Sequence, residues 1–261
     1  MNQSSVERRG AIAIVRFSNP PEGCIATQGA AQLADDIETL LSDPAVRGIV
    51  LTGGQDGVFI RHADVAQLVR AAEAISSGRT QPADFVDSPF ARLTCLLDAA
   101  DKPVIAAING ICMGGGLEIA LACTMRVASP AVTEIGLPEI RIGIFPGGGG
   151  TQRLPRVMGW HRARLFMLKG AVVDATEAHA LGIVDELAPS PLDRAIGLAQ
   201  EFAKRPGGAV AAILRLTQGS DSRENLAAEA ISFAELLRDD SSAVARMRKF
   251  VEERQKLDEV D

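Results

Sequence analysis

Residues 103–155 read PVIAAINGICMGGGLEIALACTMRVASPAVTEIGLPEIRIGIFPGGGGTQRLP, and no other part of the chain is as informative. The stretch begins with an apolar run typical of a buried strand, and a glycine-rich bend then leads into LEIALAC, a run of helix formers. Glu118 and Glu139 each follow a bend that is marked by glycine or proline. Because such bends allow a ligand to approach the backbone closely, the stretch predicts a site at which backbone amides and acids converge.

The sequence before this stretch alternates between strand and helix patterns. Short β-branched runs at 11–17 and 48–53 predict strands, and residues 28–43 have apolar side chains at helical spacing. A helix pattern at 84–101 precedes a strand pattern at 102–110. This alternation predicts a layered α/β core with parallel strands.

The pattern becomes helical from about residue 190, with no strand pattern between successive helices. So short a helical segment cannot bury much apolar surface alone, and we expect it to dock on the α/β part or on a neighbouring subunit. We therefore divide the chain into a core over 1–195 and a C-terminal helical region over 196–261.

Composition excludes several classes of function. The formal net charge of −6 argues against general nucleic-acid binding, which depends on Lys and Arg at phosphates. No apolar run is long enough to cross a membrane, and the N-terminal segment lacks the apolar run of a secretory signal. The four cysteines form no CxxC pair and have no histidine at metal-ligand spacing, so we expect buried, reduced thiols, a cytoplasmic location and no metal site.

Three glycines at 114–116 open the predicted helix that contains Glu118. They would let a ligand approach the backbone and would leave the first N–H groups of the helix directed at an anion. The alternative is that they only allow a helix and a strand to pack closely. Nucleotide-binding motifs do not fit, because Leu117 replaces the Ser/Thr of a phosphate-binding loop and Ile119 or Arg153 replaces the third glycine of a dinucleotide fingerprint.

Glu118 and Glu139 both have apolar neighbours in the sequence. For Glu118 the alternative to a functional role is an exposed carboxylate that stabilises the helix N-terminus. For Glu139 the alternative is a salt bridge to Arg141 or Arg153. Two desolvated carboxylates close together would raise the pKa of at least one, as a general acid near neutral pH requires.

The sequence predicts a supporting role for the second glycine run and a surface position for two of the three histidines. The glycine run within 146–159 leads into another predicted helix, and we expect it to support the site through close backbone packing. The chain has no GxSxG motif, and His161 and His179 lie in charged, helical surroundings that predict a surface position. His62, in FIRHADV, stays open at this point.

Three sequence blocks occur in order along the chain: KPVIAAINGICMGGGLEIALAC, GLPEIRIGIFPGGGGTQRLPRVMG and ATEAHALGIVDELAP. They are similar to successive blocks of the enoyl-CoA hydratase/isomerase (crotonase) family, which the chain resembles over roughly 10–200. The resemblance implies an α/β fold, a spiral of ββα repeats with a C-terminal helical trimerisation region. It also implies a homotrimer or hexamer and an acyl-CoA substrate, with coenzyme A as part of the substrate and no separate cofactor.

The resemblance also assigns roles to individual residues. It implies that the backbone N–H groups of Ala63 and Gly115 hold the thioester oxygen, and that Glu118 and Glu139 are the catalytic acids. Such amide donors are worth about 3–4 kcal/mol each in comparable sites. The residues expected to contact substrate are Ala63, Asp64, Gly114, Gly115 and Pro138.

The presence of both acids favours hydration of a trans-2-enoyl thioester to a 3-hydroxyacyl thioester. One acid would orient and deprotonate water, and the other would deliver a proton to the α-carbon. The alternatives are an enoyl-CoA isomerase or other enolate-forming member of the family, or a catalytically weakened acyl-CoA-binding relative. The acyl pocket is expected to include part of 65–95, which contains a polar loop at 75–84.

Several positions depart from the family pattern. The chain has Ile60, Arg61 and His62 where the family carries small residues and a glycine, so these side chains would narrow the site, contact the CoA phosphates or face solvent. GCIAT at 23–27 replaces the family segment near the adenine, and Thr124 replaces an aspartate.

Overall fold

Two β-sheets surrounded by helices form the described part of the chain. The computed structural model describes residues 2–217, 223–239, 241–253 and 255. The strands are β1 (Ser4–Arg9), β2 (Ile12–Phe17), β3 (Gly48–Gly53), β4 (Gly57–Ile60), β5 (Val104–Ile108), β6 (Gly110–Met113), β7 (Met125–Ala128), β8 (Ile135–Gly136), β9 (Val172–Val173) and β10 (Glu186–Leu187). The larger sheet has the order β1-β2-β3-β5-β7-β10, and the smaller has the order β4-β6-β8-β9.

Helices follow the strands along the chain. They are α1 (Thr27–Ser42), α2 (Val65–Ser76), α3 (Pro89–Asp98), α4 (Gly115–Ala122), α5 (Gly150–Met158), α6 (Trp160–Leu168), α7 (Ala175–Ala180), α8 (Pro191–Ala203), α9 (Gly207–Thr217), α10 (Arg223–Asp239) and α11 (Ser241–Glu252). Two short 3-10 helices lie at Pro82–Phe85 and Glu139–Ile142.

The strands alternate between the two sheets, which produces the predicted spiral of ββα units. In each of the pairs β3/β4, β5/β6 and β7/β8, the first strand belongs to the larger sheet and the second to the smaller one. From β2 through β3, β5 and β7 to β10 the larger sheet is parallel, whereas β1 pairs antiparallel with β2. The prediction of a layered α/β core with parallel strands is confirmed.

Most predicted elements of the first half are present, with one helix shorter than predicted. The strand predictions at 11–17, 48–53 and 102–110 correspond to β2, β3 and β5, and the helix prediction at 28–43 corresponds to α1. The helix predicted over 84–101 is wrong in its extent, because α3 begins only at Pro89. The Ser88 side chain accepts the N–H of Ala91, and proline at the first helical position fixes that start.

The sequence did not predict the strands of the smaller sheet, which lie beside the predicted site. Gly110, the last residue of the strand pattern at 102–110, is instead the first residue of β6 and pairs with Gly57 in β4. A Cβ at position 110 would lie 1.8 Å from the carbonyl carbon of Gly57, so only glycine permits this close pairing.

The C-terminal helices dock on the α/β part of the same chain. Buried residues of α8 pack on the larger sheet, so the predicted division between 195 and 196 falls inside this helix. Helices α10 and α11 pack against α2. Together these elements enclose a second apolar core that includes Val65, Ile75, Ile142, Ile144, Phe233, Leu237, Met247 and Phe250. A role for 196–261 in trimerisation stays a prediction, and residues 218–222, 240, 254 and 256–261 of that region lie outside the described residues.

Within the described ranges, no helix is long and apolar enough to cross a membrane. The four cysteines are free thiols, and Cys112 and Cys123 are buried as expected. The expectation of burial is wrong for Cys95, which is exposed on α3, and only partly met by Cys24.

Candidate active site

Glu118 lies in the first turn of a helix that is buried on every side. All eight residues of α4 are buried, and Glu118 is 4% exposed. The interpretation of Glu118 as an exposed helix-stabilising residue is therefore wrong. One carboxylate oxygen, Oε1, accepts the backbone N–H groups of Gly148 and Gly150 at 2.7 and 2.9 Å. The second glycine run thus supports the site as predicted, by hydrogen bonding to the carboxylate.

Glu139 begins the 3-10 helix that follows the buried Pro138. Its side chain is 8% exposed, and its Oε2 atom has no hydrogen-bond partner among the described residues. The predicted alternative of a salt bridge to Arg153 is wrong, because the Arg153 Nη2 atom lies 3.1 Å from Asp98 Oδ2. Glu139 is therefore a buried acid with one carboxyl oxygen that makes no hydrogen bond within the described residues.

The two glutamates have different electrostatic surroundings. Burial raises the pKa of both carboxyl groups. The pKa of Glu139 is raised further by the nearby charge of Glu118, and it lies well above its ordinary value. For Glu118 the N–H groups of Gly150 and Gly148 oppose the rise in pKa. This difference makes Glu139 the more readily protonated of the two acids, as an acid–base pair requires.

The structure brings the predicted amides of Ala63 and Gly115 together. A Cβ at Gly115 would lie 3.3 Å from the backbone nitrogen of Ala63 and 3.2 Å from Cε2 of Phe90. Among the described residues, neither N–H has a hydrogen-bond acceptor. Gly115 is the first residue of α4, whose N-terminus adds a favourable field for an anion.

The neighbouring glycines have distinct roles. A Cβ at Gly116 would lie 2.0 Å from the carbonyl oxygen of Ile60, so this residue allows close helix–strand packing, as the alternative interpretation proposed. Gly114 has a φ of 49°, and a Cβ there would lie 3.2 Å from Glu139 Oε1. Gly114 and Gly115 therefore border the site, while Gly116 supports the helix behind it.

The three residues that depart from the family pattern at 60–62 make contacts within the protein itself. Ile60 is fully buried in the core, and the Arg61 Nε atom donates to the carbonyl oxygen of Glu22 at 2.8 Å. His62 is buried, and its Nδ1 donates to the carbonyl oxygen of Ala63 at 2.7 Å. Burial lowers the pKa of His62, which favours the neutral ring. His62 thus braces the backbone next to the Ala63 amide, and the Cys24 thiol lies 3.6 Å from its ring.

Of the residues predicted to contact substrate, Asp64 has a structural role and Pro138 is buried. The Asp64 carboxylate caps α2 by accepting the N–H of Gln67 at 3.1 Å. Pro138 is buried and directly precedes Glu139. His161 and His179 are exposed, as predicted. Within the described ranges, no group of three or more His, Cys, Asp or Glu side chains is placed to hold a metal ion.

Sequence reasoning missed two residues of the site, Phe90 and Glu229. A Cβ at Gly148 would lie 2.2 Å from Cε1 of Phe90 and 2.9 Å from Glu118 Oε2, so the ring stands beside the carboxylate. Phe90 belongs to the 65–95 segment that was expected to line the acyl pocket, but no motif distinguishes it. Glu229 lies on α10, in a sequence that looks like an ordinary amphipathic helix.

A two-sheet α/β spiral with paired buried acids opposite two converging backbone amides defines a class of acyl-thioester enzymes with the crotonase fold. The family model for enoyl-CoA hydratase/isomerase matches residues 7–258. The chain belongs to the enoyl-CoA hydratase/isomerase family.

Curated relatives include proteins of fatty acid oxidation. The chain is 37% identical over 178 residues to the glyoxysomal fatty acid beta-oxidation multifunctional protein MFP-a of Cucumis sativus, covering 68% of this chain and 24% of that protein. It is 36% identical over 201 residues to the fatty acid oxidation complex subunit alpha of Shewanella amazonensis, covering 75% of this chain and 28% of that subunit. The chain thus spans about a quarter of the length of these relatives.

Solved structures of similar proteins support the same fold. DspI from Pseudomonas aeruginosa has 30% identity and a TM-score of 0.74, with 86% of this chain and 90% of that chain covered. Carnitinyl-CoA hydratase from Mycobacterium avium has 26% identity and a TM-score of 0.80, with 98% and 97% covered.

Proposed function

We propose that this chain is an enoyl-CoA hydratase, which adds water across the 2,3 double bond of a trans-2-enoyl-CoA to give a 3-hydroxyacyl-CoA. The observation that carries the proposal is the unequal pair of buried carboxyl groups on Glu118 and Glu139, beside the adjacent amides of Ala63 and Gly115. An enzyme that only shifts a double bond needs one such acidic group, whereas hydration uses two.

Each group has a distinct step in the proposed reaction. The thioester oxygen accepts the N–H groups of Ala63 and Gly115, which stabilise the enolate as its charge develops. Glu118, held as a carboxylate by the amides of the glycine run, orients a water molecule and accepts its proton as the water oxygen bonds to the β-carbon. Glu139 delivers its proton to the α-carbon, which agrees with its raised pKa. A proton passing from Glu118 to Glu139 completes the cycle.

The relatives agree with an acyl-CoA substrate. MFP-a is named for fatty acid beta-oxidation, and the Mycobacterium avium protein is named a carnitinyl-CoA hydratase. We further propose that the chain acts as a homotrimer or hexamer in the cytoplasm and uses neither a metal ion nor a separate cofactor.

Crotonyl-CoA supplies the direct test, because hydration removes the ultraviolet absorbance of the conjugated enoyl thioester. We expect the wild type to consume this absorbance and Glu139→Gln to lower kcat by about 10²- to 10⁴-fold, the usual contribution of a general acid. Glu235→Gln, which changes an exposed glutamate on α10, is the matched control and should leave kcat unchanged.

The alternatives give different results in the same assay. Faster conversion of a 3-enoyl-CoA than hydration of the 2-enoyl-CoA would favour an isomerase. Binding of acyl-CoA without turnover of short, medium or long enoyl-CoA would contradict the hydratase proposal and favour an acyl-CoA-binding protein.

A further inference from the structure

A third buried carboxyl group lies next to the two predicted catalytic acids. Glu229, on α10, is 7% exposed and lies close enough to Glu118 for the charge of Glu118 to raise its pKa. It comes from the C-terminal helical region, far along the chain from the 103–155 stretch. Burying a carboxyl group here requires compensating hydrogen bonds.

Those hydrogen bonds come from the same glycine run that holds Glu118. Glu229 Oε1 accepts the backbone N–H of Gly149, and its Oε2 accepts both the N–H of Thr151, at 3.1 Å, and the Thr151 hydroxyl. Glu118 accepts the amides of Gly148 and Gly150, the residues directly before and after Gly149. Successive backbone amides of residues 148–151 therefore alternate between the two carboxyl groups.

We propose that Glu229 is a positioning residue: from α10 it fixes the 148–151 loop, which includes the first two residues of α5. It thereby directs the amides of Gly148 and Gly150 at Glu118. This inference rests on the proposed hydratase function of the same site. Its consequence is that the C-terminal helical region completes the active site of its own chain.

The packing of α10 supports this role. Phe233 follows Glu229 by four residues, so both side chains leave the same face of the helix. A Cβ at Gly147 would lie 2.5 Å from the Phe233 ring, which places this ring directly on the loop. The same face thus presses on the loop through an aromatic ring and binds it through a carboxyl group.

The charges around Glu229 also favour a fixed loop. Its facing groups are Glu118 on α4, Glu139 in the 3-10 helix and Arg153 on α5. Arg153 is buried, and its Nη1 donates to the carbonyl oxygen of Gly148 at 2.8 Å. The loop is therefore held through its carbonyl by Arg153 and through its amides by two carboxyl groups.

Steady-state kinetics of two variants test the proposal. We expect Glu229→Ala to lower kcat for crotonyl-CoA by about 10- to 100-fold with little change in KM, because a displaced Glu118 affects the reaction rather than thioester binding. Glu229→Gln keeps the size and one acceptor oxygen, so its loss should be smaller. Glu235→Gln, on the exposed face of the same helix, is the control.

Combination with Glu118→Gln separates positioning from general destabilisation. If Glu229 acts through Glu118, adding Glu229→Ala to Glu118→Gln should lower kcat much less than it does in the wild type. Equal losses in both backgrounds, or wild-type kcat in Glu229→Ala, would overturn the proposal.

Amide hydrogen exchange provides a readout that does not depend on activity. In Glu229→Ala the peptide that contains residues 147–151 should exchange faster than in the wild type and in Glu235→Gln, in protein that melts as a single folded species. Unchanged exchange in this peptide would overturn the positioning role even if the wild type proves to be a hydratase. An inactive wild type with faster exchange in the variant would overturn the hydratase proposal alone.

Discussion

At position 148 the site has room for a hydrogen atom but not for a methyl group. A Cβ there would lie 2.2 Å from the Phe90 ring and 2.9 Å from Glu118 Oε2. We predict that Gly148→Ala displaces the ring, the carboxylate or the loop and lowers kcat for crotonyl-CoA by about 10- to 100-fold. Steady-state kinetics on protein with unchanged circular dichroism would measure this effect.

Gly197→Ala is the control for adding a methyl group at a glycine. Gly197 lies in α8, and a Cβ there meets no atom within 4 Å. Alanine in a helix interior should raise the free energy of unfolding by about 1 kcal/mol and leave kcat unchanged. Wild-type kcat in Gly148→Ala would show that this side of the site tolerates the methyl group and would contradict the prediction.

The charge state of Glu229 should make stability depend on pH. Burial, with the charge of Glu118, raises its pKa from 4.5 to about 8. Because the folded state favours the protonated carboxyl group, this contribution to the free energy of unfolding is full below pH 4.5 and is lost as the pH rises through about 8. We predict that Glu229→Gln, which cannot lose a proton, flattens the fall in stability over this range.

Urea unfolding at several pH values between 4.5 and about 8 measures this slope. Glu235→Gln should keep the wild-type slope, since its side chain is exposed. The raised pKa values of Glu118 and Glu139 act in the same direction, so a residual slope is expected in Glu229→Gln. A slope identical to that of the wild type would contradict a buried, protonated Glu229.

The contrast between Glu229 and the two predicted acids shows which site residues the sequence can predict. Glu118 and Glu139 could be singled out because apolar residues and glycine or proline bends surround them locally. Glu229 has no such local signal, since its burial arises only when α10 packs over the 147–151 loop. Phe90 is likewise defined by its contact with two distant glycines, at 115 and 148.

At the scale of elements, α10 joins the second core to the site through one aromatic side chain. The Phe233 ring lies 5.5 Å from the ring of Phe145 and 6.4 Å from that of Phe85. We predict that Phe233→Ala lowers the free energy of unfolding by about 3 kcal/mol, because it leaves a cavity in the second core. It should also lower kcat, because residues 147–151 lose the ring that packs against them. Val251→Ala, at an exposed position on α11, should change stability by less than about 0.5 kcal/mol.

Chemical denaturation and steady-state kinetics on the same preparations test both parts of this prediction. A loss of stability with unchanged kcat would show that the loop keeps its position without the ring, and would contradict the coupling between α10 and the site. A stability equal to that of the wild type would contradict the packing role.

Elements were predictable where their pattern was long. Strands β2, β3 and β5 and helix α1 carry continuous apolar runs or helical spacing, and each lies where the sequence predicted it. The strands of the smaller sheet are at most four residues long, too short for a periodic signal. Their positions depend on glycine contacts between distant segments, such as that of Gly110 with Gly57.

At the scale of the whole molecule, two helices expose apolar side chains that a homo-oligomer would cover. On α9, Ile213 and Leu216 are 62% and 77% exposed, and on α6, Leu165 and Leu168 are 54% and 66% exposed. Each pair is three residues apart and shares one helix face. Because α9 lies in the region expected to form the trimer, we predict that Ile213→Glu/Leu216→Glu yields monomers.

Light scattering after size exclusion measures this change in mass. Gln28→Glu/Thr39→Glu adds the same two negative charges at exposed polar positions on α1, and this control should keep the mass of the wild type. If the α9 variant remains a trimer while Leu165→Glu/Leu168→Glu yields monomers, the subunits meet through α6 and the assignment of trimerisation to 196–261 is wrong. A monomeric wild type would contradict the homo-oligomer itself. Since Glu229 reaches the site from the same chain, a monomeric variant should still retain hydratase activity.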